Sequence, residues 1–116
     1  MATNIVYNKV IPFNGFIAIN LFTIIFIREK YREFLSYHKY YLNKIINHEN
    51  IHTAQQKELL FIFFYLIYFF EWLFNLIKYK NFKDAYKNIS FEKEAKLNEE
   101  NNNYLENRKL FAMWRK

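Results

Sequence analysis

The sequence predicts an α+β fold that is mainly helical and starts with a small antiparallel β-meander. Residues 1–30 are rich in β-branched and aromatic side chains, which favour strands. From residue 31 to the end there is neither Gly nor Pro, so neither breaks the helices expected in this part of the chain. A chain of 116 residues is sufficient for one modest core, and we expect 1–116 to form a single domain.

The predicted meander consists of two apolar stretches, 5–13 and 16–27, separated by Asn14-Gly15. Both central positions of a two-residue hairpin turn need positive φ, which Asn and Gly adopt most readily. We expect a second break near Asn20, before the last strand. The alternative is an apolar hairpin that dips into a membrane, which the Pro and Gly of this segment disfavour. The N-terminal residues do not resemble a signal peptide.

Residues 48–52, His-Glu-Asn-Ile-His, form an HExxH motif in a stretch that favours a helix. Residues four apart lie on the same face of a helix, so His48 and His52 can hold one metal ion with Glu49 beside it as a general base. Imidazole ligands in a chain without cysteine favour zinc. The alternative is a pair of surface histidines. His38 lies on a different face and is not expected to be a ligand.

An apolar run over residues 59–77 is interrupted only by Glu71 and Asn75, and it is long enough to cross a bilayer. Trp, Tyr and Lys residues near its end resemble a membrane interface. We expect one active-site helix that continues into this apolar helix over residues 40–80. Membrane association through residues 59–77 then places the protein at a membrane, the bacterial inner membrane. The alternative is a buried core helix in a cytoplasmic protein, because Glu71 is costly in lipid.

The formal net charge of +6 is spread along the chain. Such a charge favours anionic partners, but no nucleic-acid-binding motif accompanies it, and we expect no nucleic-acid partner. The absence of cysteine excludes disulfides, thiolate-ligated zinc and a thiol nucleophile. In the C-terminal part, 90–116, Ser90 is a fair N-cap for one helix, and a last amphipathic helix is expected from Tyr104 to Trp114.

In these motifs the chain resembles the gluzincin metallopeptidases, in which an HExxH helix supplies two zinc ligands and a downstream helix supplies a glutamate. Membrane-associated, HtpX-like members carry a Glu-x-x-Ala-Asp signature. Residues 92–96, Glu-Lys-Glu-Ala-Lys, match its Glu and Ala and depart at Lys96, where those peptidases have Asp. The chain is also similar to small bacterial proteins with an HExxHxxQ helix, an aromatic apolar helix and an FExEA segment. The resemblance implies a minimal zincin-like domain.

The resemblance further implies a zinc metallopeptidase that hydrolyses a peptide or protein substrate. Glu92 and Glu94 point roughly 200° apart on a helix, and the resemblance selects Glu92 as the third ligand to Zn²⁺. Tyr86, Tyr104 and Arg108 are candidate oxyanion donors by position and type. An exposed edge of the meander is a site where a peptide can add as a strand.

A non-catalytic zinc-binding membrane or interaction protein, a degenerate peptidase, remains the alternative. The short chain leaves little room for a specificity cleft, which favours this reading. Glu49 favours the enzyme, because a purely structural zinc site does not need a free carboxylate beside the metal.

Overall fold

The computed structural model describes residues 4–12 and 15–115. Its described part is α+β, with a three-stranded sheet followed by a mostly helical region, so the expected fold class is confirmed at this level. Two short 3₁₀ turns lie at Glu29–Tyr31 and Ala112–Trp114. The strands and helices are β1 (Asn4–Asn8), β2 (Ala18–Leu21), β3 (Ile24–Arg28), α1 (Arg32–Tyr37), α2 (Lys39–Glu58), α3 (Ile62–Tyr79), α4 (Phe82–Lys87), α5 (Ser90–Asn98) and α6 (Tyr104–Asn107).

The sheet is mixed, so the prediction of an antiparallel meander is wrong. The strand order is β1-β3-β2, with β1 parallel to β3 and β2 antiparallel to β3. The chain between β1 and β2 crosses to the other side of β3, and Gly15, at φ 99°, lies in that connection. Asn14 lies outside the described residues. An Asn-Gly pair favours a tight turn locally, but it does not determine which strands become neighbours.

The tight hairpin turn lies at Phe22 and Thr23, which have φ values of 51° and 71°. Positive φ is unusual for residues other than glycine, and tertiary hydrogen bonds stabilise it here. The Phe22 N–H donates to the hydroxyl of Tyr65 at 2.9 Å, and the Thr23 N–H donates to the Asn20 and Gln56 side-chain oxygens. The break expected near Asn20 therefore falls immediately after β2, which holds Asn20 itself.

The helix expected over residues 40–80 is broken into two, so the prediction of a continuous helix is wrong. Leu60 and Phe61 have φ values of 54° and 62° and separate α2 from α3. The Phe61 N–H donates to the Gln56 carbonyl at 2.8 Å and the Leu60 N–H to the Lys57 carbonyl at 3.4 Å. This is the Schellman pattern of helix termination, and Leu60 occupies the position at which glycine is usual.

Two other boundaries differ from the expectation. Ser90 is the first residue of α5 rather than its N-cap, and its hydroxyl donates to Glu71 at 2.7 Å. The expected helix from Tyr104 to Trp114 is limited to α6 and the final 3₁₀ turn, with Phe111 at φ 56° between them.

The helix α2 is the central element of the fold, because it contacts β2, α1, α3 and α5. One apolar cluster lies between the sheet and the α1–α2 side, around Ile25, Ile27 and Leu35. A second lies between α3 and α5, around Phe64, Ile89 and Phe91. The face of α2 between these clusters carries buried polar residues, and these form the candidate site.

Candidate metal centre

The structure brings His48, His52 and Glu92 together. The first two lie one turn apart on α2, and Glu92 lies in the first turn of α5. The carboxylate of Glu92 bridges the two rings, with one oxygen 3.3 Å from Nε2 of His48 and the other 3.2 Å from Nε2 of His52. One ligand atom from each residue lies within 4.8 Å of the others. This group could hold a metal ion, as the sequence predicts.

Glu99 fixes the ring of His48. Its Oε2 lies 2.7 Å from Nδ1 of His48, so a protonated Nδ1 donates to the carboxylate and Nε2 is left to face Glu92. Lys96, where the gluzincin signature has Asp, extends to the surface and lies 3.1 Å from the other oxygen of Glu99. A carboxylate partner for a ligand histidine is thus present, although it does not come from the signature position.

Gln55 fixes the ring of His52 in the same way. The side-chain oxygen of Gln55 lies 2.7 Å from Nδ1 of His52. Its amide nitrogen donates to the Phe91 carbonyl at 3.1 Å and to Glu94 at 2.9 Å. Because both acceptors face the NH₂ group, the oxygen must face the imidazole, and the Nε2 of His52 points toward Glu92 and the candidate metal position.

Arg108 contacts the same carboxylate, that of Glu94, to which Gln55 donates. It pairs with Glu94 at 2.5 Å and forms two bonds with Glu58, of 2.8 and 2.9 Å. Tyr104 also donates to Glu94, at 2.6 Å. Arg108 and Tyr104 were candidate oxyanion donors, but the structure places both on Glu94. Their contacts support the orientation of Gln55.

Glu49 is buried beside the ligand group. Its Oε2 lies 4.0 Å from Nε2 of His48, and only 7% of the residue is exposed. Burial raises the pKa of its carboxyl group, while the charges of His52 and His48 oppose that rise. A carboxylate at this position is close enough to exchange a proton with a water at the metal position.

The site is rich in carboxylates. Burial lowers the pKa of His48, but hydrogen bonds to Glu92 and Glu99 outweigh this effect and raise it to about 10. Burial raises the pKa of Glu92, but the charge of His52 and the bond to His48 hold it well below its usual range. Burial also lowers the pKa of His52, but the charge of Glu92 outweighs this effect and raises it. In the metal-free protein both imidazoles therefore carry protons that balance the carboxylates, and a bound metal ion would take the place of those protons. Two imidazoles and one carboxylate can together hold a divalent metal ion.

A cavity of ≈ 320 Å³ lies between β2 and α3 and reaches this centre. Tyr68, which lines the cavity, donates a hydrogen bond of 2.8 Å to Glu92. Burial raises the pKa of Tyr86, and the charges of Glu92 and Glu49 add to the rise, so its hydroxyl keeps its proton. Tyr86 lines this cavity and is hydrogen-bonded to Glu92, whereas Tyr104 and Arg108 do not line it. The lining residues include Phe16, Ala18, Ile19, Leu21, Glu49, His52, Phe64, Tyr65, Tyr68, Tyr86 and Glu92.

A wider groove reaches the same centre from the α4 side. It has a volume of ≈ 1150 Å³, and its lining includes His48, Glu92, Phe82 and Lys83. Tyr86 lines both the groove and the smaller cavity. Residues of the candidate site thus line both the cavity and the groove.

Sequence reasoning missed the roles of Glu99 and Tyr68. Glu99 follows Glu92 by seven residues, two helical turns, so its position on the same face is a signal that could have identified it. The contact of Tyr68 depends on the reversal between α2 and α3, for which the sequence offers no turn residue. No protein-family model, curated protein or solved structure matches this chain. The function of the site must therefore be inferred from its own geometry.

Proposed function

We propose that this protein is a small zinc-dependent metallopeptidase of the gluzincin type, with His48, His52 and Glu92 as ligands and Glu49 as general base. The observation that carries this proposal is the arrangement of the ligand atoms. Two Nε2 atoms and one carboxylate converge within 4.8 Å, and each histidine has its other nitrogen engaged by a partner of its own. This arrangement is expected when both rings must present a lone pair to one ion.

When bound, zinc supplies Lewis acidity that makes a water more acidic and polarises a carbonyl oxygen. The chain's own residues supply the proton transfers. Glu49 takes a proton from the attacking water and delivers it to the leaving amine. Tyr86 donates a hydrogen bond toward the oxygen on which negative charge develops.

The surroundings favour an extended peptide as substrate. Strand β2 lies at one edge of the sheet and contributes residues 18–21 to the cavity wall. A peptide can add to a free strand edge through backbone hydrogen bonds. The mostly apolar cavity wall beside Glu49 suits an apolar side chain of that peptide.

The alternative function, a non-catalytic zinc-binding protein, is favoured by one observation. Glu92 and Glu99 pair with both nitrogens of His48, and such a network can stabilise a fold without catalysis. Membrane association through residues 59–77 is compatible with either function and is also proposed, with the bacterial inner membrane as the location.

Two measurements on purified protein test the proposal. Elemental analysis should find one zinc per chain, which a double variant His48→Ala, His52→Ala should lack. Digestion of a peptide library, followed by mass spectrometry, should show cleavage by the wild type and none by Glu49→Gln, which retains zinc but cannot accept the proton. Zinc binding without cleavage of any peptide would favour the alternative. Equal metal content in the double variant would exclude both functions.

A further inference from the structure

The helix α3 exposes one broad apolar face. Within the described part of the chain, α3 is the one helix that is long and apolar enough to cross a bilayer. Only 11% of its residues are buried. It is therefore not the buried core helix considered above. The side chains of this face are between 50% and 70% exposed and follow helical spacing: Ile62, Phe63, Leu66, Phe69, Phe70, Phe74 and Ile77.

Glu71 and Asn75, the two polar residues in the middle of α3, face the protein. Glu71 accepts hydrogen bonds from the Ser90 N–H at 2.8 Å and from the Ser90 hydroxyl at 2.7 Å. Asn75, 8% exposed, donates to the Ala85 carbonyl at 3.2 Å. One face of α3 is thus fixed to the segments around α4 and α5, while the opposite face carries only hydrocarbon side chains. A helix with protein along its length on one side cannot be surrounded by lipid tails.

The C-terminal end of this face has a basic border. Lys78, Lys80, Lys83 and Lys87 are exposed, and Asp84 is the one acidic residue in the sequence from 72 to 91. Among these lysines Phe82 is 70% exposed, and its ring lies 6.1 Å from Trp72 of α3. Exposed aromatic and aliphatic side chains with lysines beside them are the composition of helices that bind anionic membrane surfaces.

The hairpin tip extends the same apolar surface at the other end of α3. Phe22, 63% exposed, contacts the rings of Phe61 and Tyr65, with centroid separations of 6.3 and 5.1 Å. Leu60 beside them is 71% exposed. Two separate elements, the β2–β3 turn and α3, therefore contribute to one apolar surface.

From these observations we propose that α3 lies in the plane of an anionic bilayer surface, with its apolar face in the headgroup–acyl boundary and its lysine-bordered end on lipid phosphates. Lipid fits this face better than a second copy of the chain. Interfaces between proteins carry about one hydrogen bond per 100–200 Å², and the side chains of this face include no hydrogen-bonding group. The proposal does not depend on zinc or on peptidase activity.

Vesicle sedimentation tests the docking itself. The full-length protein should bind vesicles of phosphatidylcholine with phosphatidylglycerol, and bind pure phosphatidylcholine vesicles more weakly. Leu66→Glu with Phe70→Glu should reduce binding by at least about tenfold, whereas Tyr37→Glu, at an aromatic residue 78% exposed on α1, should not. Lys83→Gln with Lys87→Gln should reduce binding roughly 25-fold, about fivefold per lysine. Lys39→Gln with Lys109→Gln is the matched control. Circular dichroism verifies that each variant is folded.

Cysteine labelling distinguishes an in-plane helix from a spanning one. The chain has no cysteine, so Lys57→Cys and Lys80→Cys each place a single thiol beside one end of α3. On intact vesicles an impermeant maleimide should label both sites from outside. Labelling of one site only after detergent is added would show that α3 spans the bilayer and overturn the proposal.

Two further results would also overturn it. One is the absence of binding to anionic vesicles by the folded wild type. The other is a dimer in analytical ultracentrifugation that Leu66→Glu with Phe70→Glu dissociates, which would assign the apolar face to a second copy. Neither result bears on zinc content or on Glu49, so the failure of this proposal is distinguishable from failure of the proposed function.

Discussion

Gln55 is a neutral side chain placed between His52, a candidate metal ligand, and a buried ion pair. Its oxygen accepts from His52, and its NH₂ group donates to Glu94, which Arg108 holds. The orientation of one imidazole therefore depends on a charged pair on the far side of the amide. Gln55 lies three residues after His52, on the same face of α2, but only the fold shows what its amide contacts.

Replacement of Gln55 tests this orienting role. We expect Gln55→Leu to lower zinc affinity by about 10- to 100-fold, because His52 loses the acceptor that fixes its ring. Gln55→Glu keeps an acceptor oxygen for His52 and should retain more zinc affinity than Gln55→Leu, but it should lower the stability of the fold because its second oxygen faces Glu94 and the Phe91 carbonyl. A competition titration with a chromogenic chelator measures the affinity of both variants. Equal affinity in the wild type and Gln55→Leu would show that the ring is oriented without this contact.

Glu92 and Glu94 form a matched pair two residues apart on α5, with opposite roles. Glu92→Gln should abolish tight zinc binding, since the ligand carboxylate is lost. Glu94→Gln should retain zinc but lower the free energy of unfolding by about 1–3 kcal/mol, because buried Arg108 loses a charged partner. Zinc titration and urea unfolding of both variants check this. A larger loss of zinc affinity in Glu94→Gln would reverse the assignment.

The ligand residues differ in how far the sequence alone could identify them. His48 and His52 follow from helical spacing, which is a local property. Glu92 required the resemblance, because periodicity alone does not decide between it and Glu94. Tyr68 could not be predicted, since its approach to Glu92 depends on where the chain reverses after α2.

At the scale of secondary structure, composition predicted the strands and helices, whereas their pairing and breaks depend on tertiary contacts. Three strands do form within residues 4–28, but β1 pairs with β3 across a crossover that no local pattern specifies. The reversal at Leu60 has no Gly or Pro to mark it. Phe61, stacked on Phe22, stabilises this reversal through a contact distant in sequence.

The left-handed conformation of Leu60 leads to a prediction about α2 termination. Leu60→Gly should stabilise the fold by about 0.5–1 kcal/mol, because glycine adopts this conformation without a Cβ clash and little burial is lost at 71% exposure. Leu66→Gly, at an exposed leucine inside α3, should destabilise by about 1 kcal/mol. Thermal unfolding without lipid compares them. Destabilisation of similar size in both variants would contradict this account.

At the scale of the whole molecule, a metal ion would join α2 to α5 and thereby stabilise the fold. In the metal-free protein the pKa of His48 is raised, so the protonated ring stabilises the fold fully below about pH 6.5. This stabilisation is lost as the pH rises toward 10. Zinc competes with those protons and binds better as pH rises. The increase in melting temperature on adding zinc should therefore be larger at about pH 8 than at about pH 6.

Differential scanning fluorimetry with zinc or with EDTA at each pH measures this difference. The double variant His48→Ala, His52→Ala is the control and should melt at the same temperature with either addition. A zinc-induced increase that is as large at the lower pH would show that the ligands are not these imidazoles.

Phe82 borders the groove that leads to His48 and Glu92, and it also stacks on Trp72 of α3. If α3 rests on a bilayer, the part of this groove lined by Phe82 lies close to the lipid surface. A substrate attached to the same bilayer would then reach the site by diffusion in two dimensions, at a local concentration set by membrane area rather than by cell volume. Such a geometry would let a small enzyme with few specificity contacts select its substrates by where they reside.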